Sequence, residues 1–297
     1  MNWQAVLKSF RLPFLLLTPI CVVLGVASAF HAGLPVDALS VGLAIVAGVL
    51  AHIAVNALNE YEDYRSGLDL VTRKTPFSGG SGALPERGEA APLVGLAGWL
   101  ALAGTVLIGL YLYWEQGPVL LVMGVVGVLL IVTYTRWINR MPWLCLLAPG
   151  TGFGAVMVSG SHYAATGAFS ATVLYAAAIP FMLVNNLLLL NQFPDVEADK
   201  TVGRRHFPIA YGTKISGYAY GGLLLAAIGL LLVACIEGVF PPICYLLLLP
   251  LAGGFYAMRG ALRFGTALGD HVQYLAVNVM LTLAVPLLLA LMLWLGD

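Results

Sequence analysis

The sequence predicts an all-α integral membrane protein in which nine transmembrane helices form one bundle with a cytoplasmic N-terminus. Composition is the first reason: of 297 residues, 60% are hydrophobic and 9% are charged, whereas soluble domains carry about 25% charged residues. The apolar residues also fall into nine long runs, and every Lys and Arg lies in alternate connections between these runs. The composition excludes a cytosolic enzyme, a disordered chain and a nucleic-acid-binding protein.

Each apolar run is close to the length of about 20 residues that crosses a hydrocarbon core. The runs are 12–31, 38–59, 91–113, 118–134, 144–163, 169–193, 214–235, 239–258 and 272–295. The first is interpreted as a retained helix because Lys8 and Arg11 precede it and no small-residue cleavage site follows it. Pro149 and several glycines dilute the fifth run, which favours close packing between helices. We expect one polytopic domain over residues 1–297.

The positions of the charges predict which side of the membrane each connection faces. The 14 cations, all in alternate connections, are Lys8, Arg11, Arg65, Arg73, Lys74, Arg87, Arg136, Arg140, Lys200, Arg204, Arg205, Lys214, Arg259 and Arg263. The opposite side carries four acids, Asp37, Glu115, Glu237 and Asp297. Cationic connections stay in the cytoplasm, so we expect a cell (inner or plasma) membrane protein with its functional loops, 60–90 and 194–213, on the cytoplasmic side.

Two acidic motifs stand at equivalent places, 132 positions apart. Asn59 precedes Asp63 by four residues, Asn191 precedes Asp195 by four, and each pair ends an even-numbered predicted helix. Residues four apart share a helix face, so Asp199 is expected to continue the second stripe unless Pro194 bends the helix.

Seven carboxylates are concentrated around these two motifs. They are Glu60, Glu62, Asp63, Asp69, Asp195, Glu197 and Asp199. Like charges at this density repel one another unless a cation lies among them. Mg²⁺ takes carboxylate oxygens together with water and phosphate oxygens. Two facing clusters therefore predict a site for two Mg²⁺ ions that bridge a diphosphate.

Cations follow both motifs and are candidates for binding a diphosphate. They are Arg73, Lys74, Arg140, Lys200, Arg204 and Arg205. The cytoplasmic location explains any one of them, whereas the functional interpretation is that they neutralise a departing anion. The Gly/Ser-rich segment 75–82 either donates backbone N–H groups to the anion or is a flexible loop.

At these residues the chain resembles the UbiA superfamily of intramembrane aromatic prenyltransferases, over nearly its whole length. The family's common first motif is N-D-x-x-D-x-x-x-D, which Asn59 and Asp63 match, with Glu60 at the second position. Eight residues after Asn59, where the family motif has its last Asp, this chain has Gly67, and the next acid is Asp69. This spacing is similar to the branch that prenylates 1,4-dihydroxy-2-naphthoate for menaquinone.

The second motif, D-x-x-x-D, is matched by Asp195 and Asp199, and the basic residues after it resemble the family's basic tail. Tyr134 resembles a tyrosine of the family at the end of helix 4, but the Gly-Pro expected two residues later in the naphthoate branch is replaced by Arg136-Trp137. Arg140 resembles the basic residue that other branches of the family use to bind the diphosphate. The branch, and with it the acceptor, therefore stays open.

The resemblance implies an enzyme that transfers a polyprenyl group from an isoprenyl diphosphate to an aromatic acceptor through an allylic cation. It implies the following roles: Mg²⁺ ligands Asn59, Asp63, Asp69, Asn191, Asp195 and Asp199; diphosphate-binding residues Arg73, Lys74, Arg140, Lys200 and Arg204; catalytic residues Asp63, Asp195 and Tyr134; and acceptor-side residues Asn56 and Glu60. The expected partners are the two substrates and the lipid bilayer, with neither a nucleic acid nor an obligate protein partner.

Alternatives remain at two levels. The same chemistry would serve 4-hydroxybenzoate, homogentisate or another quinone or lipid precursor in place of the naphthoate. From a different class, a cation- or proton-coupled transporter would also use acids in a membrane. Transporter sites lie near the bilayer midplane on interrupted helices, whereas these acids are predicted at one membrane face.

Overall fold

Nine main helices follow one another in the computed structural model of the chain, which describes residues 2–296 and contains no strand within them. They are α1 (Leu17–His31), α2 (Ala38–Arg65), α3 (Ala91–Gln116), α4 (Pro118–Thr133), α5 (Pro142–Thr166), α6 (Ala171–Asn191), α7 (Phe207–Ile236), α8 (Leu248–Phe264) and α9 (Val272–Leu295). Shorter α-helices are Asn2–Ser9, Leu12–Leu15, Leu68–Val71, Ala83–Glu86 and Val196–Thr201, and 3-10 turns are Gly88–Ala90, Ile138–Arg140, Pro242–Leu247 and Gly265–Asp270. The all-α prediction is confirmed, whereas Asp297 lies outside the described residues.

Eight helices of residues 2–296 are long and apolar enough to cross a membrane, which indicates a multi-pass membrane protein. The remaining run is α4, whose 16 residues extend about 24 Å at 1.5 Å per residue. This length is shorter than a hydrocarbon core of about 30 Å. Nine crossings and the cytoplasmic N-terminus therefore stay predictions.

Local chemistry explains where α2 begins and where α6 ends. Asp37 caps α2 because its carboxylate accepts a hydrogen bond from the Ser40 backbone N–H at 2.7 Å. Beyond α6, Pro194 has no N–H to donate and its ring clashes with a continuing helix, so the chain turns before the separate helix Val196–Thr201. The expected continuous stripe from Asn191 to Asp199 is therefore wrong, and the bend at Pro194 is confirmed.

Helix α6 lies at the centre of the bundle and contacts α1, α5, α7 and α9. Two glycines of α5 allow its close approach: a Cβ on Gly150 would lie 2.3 Å from the Phe181 carbonyl oxygen, and one on Gly154 would lie 2.6 Å from that of Ala177. The glycines of the fifth run thus have the packing role that the sequence predicts. Directly after Gly150, α5 contains a π-helical stretch, Thr151–Val158, which includes Gly154.

A closed set of hydrogen bonds joins α6, α7 and α9 inside the bundle. Asn186 Nδ2 donates to the Tyr220 carbonyl at 3.0 Å, Tyr220 Oη donates to Asn278 Oδ1 at 3.0 Å, and Asn278 Nδ2 donates to the Asn186 carbonyl at 3.1 Å. The three residues are buried, and their bonds satisfy groups that lipid could not. The four cysteines, Cys21, Cys145, Cys235 and Cys244, are likewise buried and free, as expected of packing residues.

Helix α4 lies at the edge of the bundle, and Leu120 is its one buried residue. Because α4 packs loosely against α2, α3 and α5, these helices enclose a large cavity. The ends of α2 and α6, which carry the acidic motifs, open into that cavity.

Candidate active site

The cavity has a volume of about 960 Å³ and joins one polar end to a long apolar part. The charged and amide side chains of the polar end include Arg11, Asn59, Asp63, Asp69, Asn191, Asp195, Asp199 and Arg204. The predicted site residues that line the cavity therefore come from both acidic motifs, which the fold brings to one place. A cavity of this size is in the range that takes a small-molecule ligand.

At the end of α2, Asn59 and Asp63 form the pair that their spacing predicts. Asn59 Nδ2 donates to Asp63 Oδ2 at 3.1 Å and to Thr135 Oγ1 at 3.2 Å. Arg11 Nη2 donates to Asn59 Oδ1 at 3.4 Å. The amide is thus fixed by partners on three segments of the chain, with its side chain at the cavity wall.

Glu60 is fully buried and faces away from the cavity. Its carboxylate accepts hydrogen bonds from the Ser81 backbone N–H at 3.0 Å, from Arg11 at 3.1 Å and from the Ser81 hydroxyl. The structure therefore places Glu60 where it fixes the segment after Gly80, and not on the acceptor side where the sequence predicts it.

The Gly/Ser-rich segment 75–82 lies between the two acidic motifs. Gly79 and Gly80 have φ angles of 78° and 72°, a conformation that favours glycine. The Gly79 N–H donates to Asp195 Oδ2 at 3.3 Å, and a Cβ on Gly80 would lie 3.0 Å from Asp69 Oδ1. The Gly79 N–H thus donates to a carboxylate of the second motif, and donation from this segment to a bound anion stays a prediction.

Arg204 joins the two motifs. Its guanidinium donates to Asp199 Oδ1 at 2.9 Å and forms a second ion pair with Asp63 Oδ1. On its other side, Asp199 Oδ2 lies 2.8 Å from His206 Nε2. All of these side chains are largely buried, so Arg204 neutralises carboxylates that would otherwise repel one another.

Three buried oxygens of the site have no hydrogen-bond donor among the described residues. They are Asp69 Oδ2, Asn191 Oδ1 and Asp195 Oδ1. Burial, reinforced by neighbouring carboxylates, raises the pKa of Asp69 and of Asp195 to about 7. Unpartnered carboxylate and amide oxygens beside a cavity are suited to a hard cation, so these residues fit Mg²⁺.

No three His, Cys, Asp or Glu side chains among residues 2–296 are grouped closely enough to hold a metal. The reason is visible in the contacts above: Arg204 separates Asp63 from Asp199, and the loop at Gly79 and Gly80 lies between Asp69 and Asp195. The unpartnered oxygens therefore face the cavity from two sides, and a bound diphosphate would supply further oxygens.

Of the five predicted diphosphate-binding cations, Arg204 lines the cavity and the other four do not. Arg73 pairs with Asp270 at 2.7 Å, Lys200 pairs with Glu197 at 2.8 Å, and Lys74 donates to the Ser81 carbonyl. Arg140 is exposed. The structure thus keeps these four side chains outside the polar end.

Tyr134 and Asn56 both line the cavity, as their predicted roles require. Tyr134 follows the last residue of α4 and packs against the buried group Ile138, Cys145 and Ala148. Asn56 lies one turn before Asn59, and its Nδ2 donates to the Phe10 carbonyl at 3.0 Å. An aromatic ring and an amide are therefore present beside the acids.

Arg11 is a site residue to which the sequence assigns no role beyond sidedness. It is the one non-glycine residue of 2–296 with a positive φ, 52°, and its side chain reaches both Asn59 and Glu60. Its Nε is buried without a partner. Arg11 lies 48 positions from Asn59, so no helical spacing could have indicated the contact. His206, which lines the cavity and contacts Asp199, is a second site residue to which the sequence assigns no role.

Comparison with known proteins adds sequence and fold relatives. Residues 16–278 match the model of the UbiA prenyltransferase family. A 1,4-dihydroxy-2-naphthoate octaprenyltransferase of Haemophilus influenzae is 25% identical over 194 residues, which span 63% of this chain and 62% of that protein.

Two solved structures of a UbiA homologue from Archaeoglobus fulgidus share the fold. The one bound to GPP and Mg²⁺ has a TM-score of 0.68 and 13% identity, covering 98% of this chain and 99% of the other. The one bound to DMAPP and Mg²⁺ has a TM-score of 0.63 and 15% identity, covering 94% and 98%. Because both structures are under 25% identical to this chain, the similarity shows a shared fold alone.

Proposed function

The chain belongs to the UbiA prenyltransferase family, and we propose that it is a prenyltransferase that transfers a polyprenyl group from an isoprenyl diphosphate to an aromatic acceptor with the help of Mg²⁺. The acceptor we propose is 1,4-dihydroxy-2-naphthoate, on the path to menaquinone. The related protein of H. influenzae and the N-[DE]-x-x-D-x-x-x-G-x-D spacing from Asn59 to Asp69 support this choice.

One observation carries the proposal: the three unpartnered oxygens of Asp69, Asn191 and Asp195 stand at the polar end of an otherwise apolar cavity. Together with Asn59, Asp63 and Asp199 they would hold Mg²⁺, for which we propose two ions. When bound, Mg²⁺ supplies positive charge to the diphosphate oxygens. An anionic head with an apolar tail matches both ends of this cavity.

The residues of the chain perform the remaining tasks. As the bond between C1 and the diphosphate oxygen breaks, Arg204 and Arg11 lie at the cavity wall and stabilise the charge on the leaving group. Tyr134 presents its ring to the allylic cation, and the apolar wall excludes water from it. We keep Arg73, Lys74, Arg140 and Lys200 as proposed diphosphate ligands, and Arg73, Lys74 and Lys200 would first leave their present partners.

The acceptor ring attacks C1, and the proton or carboxyl group at the attacked carbon leaves. With 1,4-dihydroxy-2-naphthoate the prenyl group replaces the carboxylate, and CO₂ departs. We propose that Asn56 lies beside this step, because it lines the cavity, and that Glu60 acts indirectly by holding the Gly80–Ser81 segment. We propose that the reaction takes place at the cytoplasmic face of the cell membrane.

The experiment is an acceptor screen on the purified protein. With Mg²⁺ and a labelled isoprenyl diphosphate, product mass is measured for the naphthoate, 4-hydroxybenzoate, homogentisate and other quinone or lipid precursors. We expect prenylated naphthoate and inorganic diphosphate. Product with another acceptor alone would overturn the naphthoate assignment and leave the enzyme class unchanged.

Asp195→Asn tests the metal assignment. It removes a charge but keeps the side chain's size, so we expect kcat/KM to fall at least about 100-fold. The matched control is Glu197→Gln, two residues away and largely exposed, which should retain activity. Full activity of a monodisperse Asp195→Asn protein would contradict the role of Asp195.

A further inference from the structure

A shallow groove lies on the surface of α8, apart from the cavity of the candidate active site. It has a volume of about 370 Å³ and is lined by Phe255, Met258, Arg259, Leu262 and Arg263. These positions follow the spacing i, i+3, i+4, i+7 and i+8, which places them on one face of a helix. None of the five lines the larger cavity. We call this face, with its two arginines, the α8 groove.

Glycines of the neighbouring helix α7 form one border of the α8 groove. A Cβ on Gly217 would lie 2.6 Å from Leu262, and one on Gly221 would lie 2.7 Å from Met258. The backbone of α7 therefore packs directly against these two side chains and holds them in place. Phe255 and Leu262 nevertheless stay exposed, and exposed apolar side chains on a membrane-spanning helix contact the hydrocarbon chains of lipids.

The two arginines lie inside a candidate membrane span and not in a connection. The span is Pro242–Asp270, within which α8 ends at Phe264. Arg259 lies five residues before that end, roughly 8 Å along the helix, and its side chain is exposed. An arginine at such a depth extends its aliphatic stem toward the membrane surface and keeps its charge among the headgroups.

Neither arginine finds its counter-ion within the protein. No carboxylate of residues 2–296 pairs with Arg259 or Arg263. By contrast, the exposed Arg136 pairs with Glu62 at 2.7 Å. The preference of cations for cytoplasmic connections explains an arginine between helices, but it does not explain two unpaired arginines on the exposed face of a span. Charges in this position need an anion from the membrane.

We infer that the α8 groove binds an anionic phospholipid, whose phosphate lies on Arg259 and Arg263 and whose acyl chain lies along Phe255, Met258 and Leu262. A guanidinium donates two parallel hydrogen bonds to phosphate oxygens. Residues four apart have their Cβ atoms about 5–6 Å apart, so both arginines reach one headgroup. A headgroup with a cation of its own would place a like charge beside the arginines, so the lipid that fits carries a net negative charge.

The lipid would lie in the leaflet that borders the acidic motifs. After α8 the chain forms the turn Gly265–Asp270, where a Cβ on Gly269 would lie 3.1 Å from Pro194. Helix α8 therefore ends on the side where Asp195 lies, which the distribution of cations predicts to be cytoplasmic. Anionic lipids give the cytoplasmic leaflet its negative surface potential, so a ligand of this class is present there.

The test measures which lipid the purified protein retains when phosphatidylglycerol and phosphatidylcholine with identical acyl chains are offered in equal amounts. Native mass spectrometry identifies each bound lipid by its mass. For the first bound lipid of the wild type we expect a preference for phosphatidylglycerol of about 20-fold, since each arginine contributes roughly fivefold. Arg259→Gln and Arg263→Gln should each lower this preference by roughly fivefold, and the double variant should abolish it.

The matched control is the double variant Lys8→Gln, Arg136→Gln. It removes the same amount of charge from cations that already pair with carboxylates, at 2.8 Å and 2.7 Å, so its lipid preference should stay that of the wild type. Arg259→Lys combined with Arg263→Lys keeps the charge but loses the paired hydrogen bonds, and it should retain part of the preference. Thermal midpoints and size-exclusion profiles confirm that each variant is folded, and the single variants replace a double variant that is not.

Three lipid-binding outcomes would overturn the inference: no preference in the wild type, an unchanged preference in the folded Arg259→Gln, Arg263→Gln protein, or an equal loss in the control. The last would assign the preference to net charge and not to the groove. A wild-type dimer that the arginine substitutions convert to a monomer would also overturn it, because the groove would then be an interface between two copies of the chain. Since prenyl transfer is not measured, the result is independent of the proposed function.

Discussion

At the scale of single residues, Arg204 determines the charge balance of the site. Burial opposes its charge, yet Asp63 and Asp199 outweigh that effect and raise its pKa further above the ordinary range. Removing one member of such a buried group leaves a charge uncompensated, at a cost of about 3–5 kcal/mol. The guanidinium of Arg204 thus neutralises the charge of Asp63 and Asp199 in the protein without a bound metal ion.

The pKa values of Asp69 and Asp195, raised to about 7, predict how Mg²⁺ binding depends on pH. At the proposed site, Mg²⁺ needs both carboxylates ionised. Below pH 7 each carboxyl takes up a proton, so we expect the affinity for Mg²⁺ to weaken between pH 8 and pH 6 by up to roughly tenfold per carboxylate. Mg²⁺ titration of the purified protein measures this.

The metal-free protein should show the opposite trend in stability. The two folded-state pKa values exceed the usual value near 3.9, so between about pH 4 and 7 the folded protein binds more protons than the unfolded chain. Its stability therefore falls as pH rises, and the thermal midpoint in EDTA should be higher at pH 6 than at pH 8. Asp195→Asn should reduce this difference. A midpoint that rises toward pH 8 would contradict the assignment of these pKa values.

Individual site residues were predictable where the signal was local. Asn59 and Asp63 are four residues apart on one helix, and their hydrogen bond follows from that spacing. The contacts of Arg11 with Asn59 and of Arg204 with Asp63 join residues 48 and 141 positions apart. Such contacts depend on how the helices pack, so the sequence indicated the presence of cations and not their partners.

At the scale of helices, Gly150→Ala tests the close packing of α5 on α6. The added Cβ would lie 2.3 Å from the Phe181 carbonyl oxygen, a rigid backbone atom, so the helices must separate. We expect a loss of about 1–3 kcal/mol, seen as a lower thermal midpoint in detergent. Gly222→Ala, with open space around the new Cβ, should be neutral or slightly stabilising. Equal midpoints in both variants would contradict tight packing at Gly150.

Helix boundaries were predictable to different degrees for physical reasons. The predicted run 272–295 coincides with α9, Val272–Leu295, because apolar residues fill it from end to end. Helix α7 begins at Phe207, where Pro208 suits a first helical turn, and its uninterrupted stretch begins after Gly212, close to the predicted start at 214. Within α7, Gly212 has φ 81° and interrupts the helix, which hydropathy does not reveal.

At the scale of the whole molecule, the distribution of cations predicts opposite locations for the short helix Val196–Thr201 and the end of α3. Cysteine labelling tests this, because the four native cysteines are buried and give a low background. Glu197→Cys and Glu115→Cys place exposed thiols at the two locations. With an impermeant maleimide on intact cells, we expect labelling at position 115 and none at 197 until the cells are opened. Labelling of both from outside would contradict the predicted sidedness.

The ion pair between Asp63 and Arg204 also has a consequence for biosynthesis. The two residues are 141 positions apart, and ribosomes add about 5–20 residues per second, so Asp63 is made roughly 7–28 seconds before its counter-charge. During that interval the nascent N-terminal half holds an acid at the end of α2 with no guanidinium from the C-terminal half. The acidic end of the cavity is therefore completed late in translation, when the segment after Asp199 joins the helices already inserted.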